Sequence, residues 1–176
     1  MLWSFFLHDV LPADPLDTAA FRRLMGQYAT GVCVVSAPAT VDGMDNAIAG
    51  ITVNSFVSVS LDPLLVAWSL GNASSQFDLW TKAPAFAISI LAQDQQDLAR
   101  RYAVRGSREL DRADFESTQN GLPVIAGALG YLECRHWSLY PAGDHTMVFG
   151  EVTGMRQAAN GRPLTFFGGA FGKVAD

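Results

Sequence analysis

The first periodic stretch, "PLDTAAFRRLMGQYATGV" at residues 15–32, sets Phe21, Leu24, Met25 and Tyr28 at spacings of three and four. That spacing predicts one apolar face of a helix, opened by Asp17 or Thr18 and ending near Thr30-Gly31. From there the period falls to two. "VCVVSA" from 32, "GITVNSFVSVSLDP" from 50, "LLVAWSL" from 64 and "AFAISIL" from 85 are short strands bounded by Gly, Pro, Asn or Asp. Two helical inserts interrupt them, a short one around "SSQFDLW" and a clearer one in "QDQQDLARRYAVR", where Leu98 and Tyr102 share a side. "GSRELDRADF" mixes charges and small residues as a solvated loop. Strands return in "LPVIAGALGYLECRHWSLY", "DHTMVFGEVTGM" and "PLTFFGGAF". The fold class is mainly β with peripheral helices, and the spacing of turns predicts a closed antiparallel barrel undivided by linker or repeat.

Residues 50–63 are unusual among these strands. One alternating set is Ile51, Val53, Ser55, Val57, Val59 and Leu61; the other is Thr52, Asn54, Phe56, Ser58, Ser60 and Asp62, with no charge until its end. Short neutral hydrogen-bonding groups suit a flat, largely apolar ligand edged with carbonyls and ring nitrogens. "AFAISIL" offers a matching hint, with Phe86, Ile88 and Ile90 toward the core and Ala85, Ala87 and Ser89 on a shallow face. An exposed Ser/Thr-rich strand fits the same letters, so pattern alone leaves both readings open. Ser74 and Ser75 stand where a short helix begins, as a phosphate site or an ordinary cap. His145 follows a Gly-Asp turn at the mouth of a strand, a structural histidine or a functional one.

Composition narrows the function classes. Hydrophobic residues make up 49% of the 176 and charged residues 16%, an apolar excess that implies surface covered by a partner subunit. The formal net charge of −5, without a Lys/Arg cluster, argues against nucleic acid. Cys33 and Cys134 lie far apart in apolar runs and read as buried free thiols in a reducing compartment. The opening "MLWSFFLHDV" lacks a basic leader and a cleavage pattern, and no membrane span is visible, so the expected address is the cytoplasm. Asn72-Ala73-Ser74 is then a glycosylation sequon by accident. There is no G-x-S-x-G, H-E-x-x-H, Walker loop or strand-to-helix G-x-G-x-x-G, and the histidines and cysteines do not supply a zinc set. "FGGAFG" reads as a bend in the last strand.

Taken in order, "FRRLMGQYATGVCVVSA", "GITVNSFVSVSLDPLLVAWSL", "FAISILAQDQQDLARRYA", "GLPVIAGALGYLECR", "AGDHTMVFGEV" and "PLTFFGGAFG" resemble the short-chain flavin reductase family, from about residue 20 to about 173. The resemblance implies an antiparallel split β-barrel of the FMN-binding type, spanning residues 16–176 behind a leader at 1–15, and usually paired as a homodimer. It implies FMN or FAD as the flavin, NADH or NADPH as hydride donor, and a flavin-dependent monooxygenase as the partner that receives reduced flavin by diffusion. By motif position Thr52, Val53, Asn54 and Ser55 lie along the isoalloxazine and ribityl chain, and Ser58, Val59 and Ser60 continue the lining. Ser69, Ser74 and Ser75 approach the ribityl or phosphate, Ala92 and Phe171 complete the cofactor set, and His145 faces the nicotinamide. Leu64, Ser89 and Phe171 depart from the family, which often has a second proline, an asparagine and an aromatic hydroxyl there.

Hydride transfer to a flavin needs no protein nucleophile, which agrees with the lack of an acid-base pair. The resemblance leaves two alternatives: a split-barrel flavoprotein that retains its flavin and reduces another acceptor, and a non-catalytic flavin-binding module. Arg105, Arg108 and Arg112 are candidates for an NADPH phosphate. Trp3, Phe5 and Phe6 of the leader are candidates to pack over the dimer or the groove.

Overall fold

A computed structural model describes residues 17–41, 44–104 and 111–174. The leader with Trp3, Phe5 and Phe6, and the loop residues Arg105 and Arg108, lie outside the described residues. The described residues open with helix α1 (Thr18–Met25), then strands β1 (Thr30–Gly31), β2 (Cys33–Val41), β3 (Met44–Val53), β4 (Val57–Leu61) and β5 (Leu64–Gly71). Helix α2 (Phe77–Lys82), strand β6 (Ala85–Ile90) and helix α3 (Gln96–Ala103) follow. A 3-10 turn (Arg112–Asp114) leads into β7 (Phe115–Ser117) and β8 (Pro123–Ile125), then the long hairpin β9 (Gly130–Ala142) and β10 (His145–Gln157), and last β11 (Leu164–Phe167) and β12 (Ala170–Lys173).

Seven strands form one antiparallel sheet in the order β3-β2-β6-β9-β10-β5-β4. β1, β11 and β12 make a second sheet, and β7 pairs with β8. The large sheet is buried on both faces along β2, so Val35 and Ala37 enter one core with Trp68, Trp80 and Phe86, while Val32 and Val34 enter another with Ala99, Tyr102 and Leu164. In the first core Trp68 meets Trp80 edge-on at a centroid distance of 5.6 Å. Cys33 and Cys134 are buried there as free thiols, and burial pushes each up to about 12.

Four details differ from the pattern-based expectation. Residues 50–63 are two strands, not one, because Ser55 Oγ accepts the Ser69 N–H at 3.0 Å and so replaces the ladder at residues 54–56. The sheet does not close: among the described residues its edges β3 and β4 do not pair. Yet the three-residue link between them reaches at most about 14 Å, so those edges lie near each other at one end and the sheet curls into an open barrel.

Helix α1 ends at Met25, earlier than expected, because Gly26 C=O accepts from Gly168 N–H at 2.8 Å and Thr30–Gly31 is drawn into pairing with β11. Asp17 caps its start, accepting from Ala20 N–H at 2.7 Å. Its apolar stripe does not enter the core; Phe21, Leu24 and Tyr28 are exposed. "FGGAFG" is a tight hairpin turn rather than a bend, with Gly168 and Gly169 both at positive φ between the paired Phe167 and Ala170.

Candidate functional site

The exposed stripe of α1 roofs a groove of about 500 Å³. Phe21, Met25, Tyr28 and Phe166 make it apolar; Thr30, Asn54 and Ser55 give it neutral polar edges; Arg22 brings a positive charge. The sequence segments that build it are far apart. α1 is positioned by its contact with the Gly168 turn, and Asn54 and Ser55 by the break between β3 and β4.

From Ser55 the surface continues along one face of the β5–β10 ladder. Ser55 Oγ accepts from Ser69 N–H, and Ser69 Oγ donates to Met147 Sδ at 3.1 Å. Ser69 pairs with Met147 and Gly71 with His145, and the two-residue period puts all four on the same side. A Cβ on Gly71 would meet His145 Nε2 at 3.8 Å, so the ring lies directly over that backbone. His145 Nδ1 is 2.8 Å from Asp144 Oδ1. The hydrogen bond from His145, then its charge, then the weaker pull of Arg22 hold the Asp144 carboxyl below its ordinary value despite slight desolvation. Beside an ionised Asp144 carboxylate, Nδ1 is the donor in this contact.

The TVNS run divides. Thr52 Oγ1 donates to Ala99 C=O of α3 at 2.9 Å, and the Val53 side chain is buried in the first core, so neither side chain reaches the groove. Asn54 is exposed, has no hydrogen bond among the described residues, and lines the groove with Ser55. Ser58 and Val59 lie on edge strand β4 at a register shift, both exposed, and Ser60 Oγ accepts from Asp62 N–H at 3.2 Å.

Ser74 Oγ accepts from Gln76 N–H at 3.2 Å, and α2 starts only at Phe77, so the two serines form a turn ahead of the helix. Ser75 is exposed beside it. Ala92 sits between β6 and α3, its N–H donated to Gln95 Oε1 at 3.0 Å and its backbone bridged to Pro163. Phe171 stacks edge-on with Phe166 at 5.4 Å and under the Arg100 guanidinium at 5.9 Å, one ring removed from the groove. Ser89 does not offer a shallow face: it is fully buried and accepts from Ile125 N–H at 2.9 Å, because β8 covers that side of β6. Arg112 opens the 3-10 turn that leads into β7.

Several groove residues carry no sequence signal of their own. Thr30 closes the helix pattern as if it were only a terminus, yet it lines the groove, and its hydroxyl is buried behind that lining without a partner among the described residues. An orphaned buried hydroxyl costs free energy unless a ligand or water satisfies it. Met147 could have been found from the period of two after His145, and Arg22 from its place beside Phe21 on the α1 stripe.

An open antiparallel sheet with an apolar roof over uncharged donors is a cradle for a flat, heteroatom-edged ligand. The model of the flavin reductase like domain matches residues 25–175, and the chain belongs to that family. It is 45% identical over 160 residues to "FMN reductase (NADH) SmoA" of Agrobacterium fabrum, covering 90% of this chain and 87% of the relative. It is 32% identical over 161 residues to the reductase subunit HsaB of a flavin-dependent monooxygenase from Mycobacterium tuberculosis, covering 89% and 82%. Among solved structures, the NADH:FAD oxidoreductase SgcE6 of Streptomyces globisporus, in complex with NAD and FAD fragments, superposes with a TM-score of 0.84 at 36% identity, covering 94% of this chain and 97% of that one.

Proposed function

We propose that this protein is an NADH-dependent flavin reductase that binds FMN or FAD in the groove beneath α1 and releases it reduced to a partner monooxygenase. The observation that carries the reading is the continuity of the groove with His145 along one strand face, through Ser55, Ser69 and Met147. The lining fits a flavin: the partnerless Thr30 hydroxyl and the unengaged Asn54 are hydrogen-bonding groups in want of a ligand, and Phe21, Tyr28 and Phe166 are aromatic surfaces. The names of the relatives support the same activity.

When bound, the flavin supplies the hydride acceptor, its N5. Thr30, Asn54 and Ser55 hold its polar edge without bringing a charge, which favours binding loose enough for release. Thr52 and Val53 contribute through their backbone, since their side chains are engaged elsewhere. Phe21, Met25 and Tyr28 would keep water from a ring held in the groove, and Ser74 with Ser75 would approach the ribityl or phosphate end. His145, held by Asp144, faces the nicotinamide.

A second copy of the chain completes the assembly. The support is apolar surface that the described residues leave uncovered: Val57, Val59 and Leu61 on edge strand β4, and Trp137 and Tyr140 on β9, with Leu61 87% exposed. The two unreactive thiols suit a reducing compartment, the cytoplasm.

The test is steady-state NADH oxidation against added free flavin. A saturable rise in rate is expected, whereas turnover confined to flavin that co-purifies with the protein points to a retained cofactor. Anaerobic NADH should bleach the bound flavin within seconds; no bleaching with either nicotinamide would sink both enzymatic readings. His145→Ala should slow bleaching at least roughly tenfold while flavin affinity changes less. An unchanged rate would make His145 structural.

A further inference from the structure

The β9–β10 turn that carries His145 is fastened by a residue with no part in the groove. Asn72 directly follows β5 and binds that turn three times. Its N–H donates to Asp144 C=O at 2.9 Å, its Nδ2 donates to Gly143 C=O at 3.2 Å, and its Oδ1 accepts from Thr146 Oγ1 at 2.8 Å. Thr146 is only 6% exposed and alternates with His145, so this last bond lies on the opposite side of the strand from the imidazole. Gly143 has φ +64 and open space where a Cβ would stand, so no side chain at the turn's own tip braces it. Two residues beyond Asn72 comes Ser74, whose N–H donates to Gly71 C=O at 2.9 Å.

We infer that Asn72 is a positioning residue that sets His145 over Gly71 and keeps it in register with the Ser74-Ser75 turn. The carboxamide is suited to the task, since Thr146 offers a donor and Gly143 an acceptor, and among neutral side chains an amide answers both at once. A carboxylate would keep the Thr146 bond and repel the Gly143 carbonyl. The backbone bond to Asp144 survives replacement by alanine, so the turn stays attached while its orientation loosens. This inference rests on the assignment of His145 to the nicotinamide side.

The experiment is a double-mutant cycle on the full chain: wild type, His145→Ala, Asn72→Ala and the pair, each loaded with flavin and reduced by NADH without oxygen. Asn72→Ala should slow bleaching roughly tenfold with flavin affinity changed by less than about twofold. Added to His145→Ala, it should cost less than about twofold more, because the ring it positions is gone. Thr146→Val should slow reduction in the same direction, and Thr146→Ser, which keeps the hydroxyl, should restore it. Equal losses from Asn72→Ala in both backgrounds would overturn the inference, as would an unchanged Asn72→Ala rate beside a slowed His145→Ala. If His145→Ala itself leaves the rate unchanged, the His145 assignment fails and the inference with it.

Discussion

Two sets of small neutral side chains face the large sheet, and they differ in what lies above them. Ser36 and Ser89 are fully buried; Ser36 Oγ donates to Pro123 C=O at 2.7 Å and Ser89 Oγ accepts from Ile125 N–H at 2.9 Å, so both ends of β8 are clamped to the sheet. Asn54 and Ser55 line an open groove, Asn54 without a partner among the described residues and Ser55 accepting from Ser69 N–H with its own proton still to give. The residue types are alike. Hydroxyls under a covering strand are joints of the fold, and the same groups under an apolar roof with room beneath it are offered to a ligand.

The largest effect should come from the covered set. Ser89→Val fills the space of the hydroxyl but leaves the Ile125 N–H buried and unpaired, at a cost of about 1–3 kcal/mol. Thermal melts should show Tm falling roughly 3–9 °C, with flavin affinity unchanged within about twofold. A held Tm with weakened flavin binding would erase the distinction between the two sets.

The reverse signature is expected from the groove. Asn54→Leu touches an exposed side chain with no internal hydrogen bond, so Tm should stay within about 2 °C. Flavin titration by fluorescence should show roughly tenfold weaker binding, the loss of one hydrogen bond in a partly desolvated site. Unaltered affinity would remove Asn54 from the cradle and leave Thr30 and Ser55 as its polar edge.

This difference explains what the sequence could reveal. The strands of the core were legible because Val, Ile and Phe alternate with a period of two, and α3 because Leu98 and Tyr102 fall on one side of a 3.6-residue period. The faces of Ser89 and Thr52 were not, since what covers them comes from residues 36 and 47 positions away: Ile125 for the first and Ala99 for the second. Nor does alternation reveal that a side chain, Ser55, takes a backbone N–H and splits a strand. The stripe of α1 predicts a helix, but a stripe does not say whether it meets a core or roofs a groove. The motif resemblance supplied the family; the local letters of TVNS did not show that only its second half offers side chains.

The two histidines of the central hairpin extend the comparison from hydroxyls to imidazoles. His145 is uncovered and paired with Asp144, whereas His136, on β9, has a buried Nδ1 with no partner among the described residues. Burial alone lowers the His136 pKa from its ordinary value of 6.5. Between that lowered value and 6.5 the unfolded chain binds more protons than the folded one, so stability is whole above 6.5, declines as pH falls through it, and levels off below the folded pKa. His136→Gln removes the titration, and the fall in Tm between pH 7 and pH 5 should become shallower. If His136→Gln leaves that slope unchanged, the covered and unpaired imidazole is not the one that feels its burial.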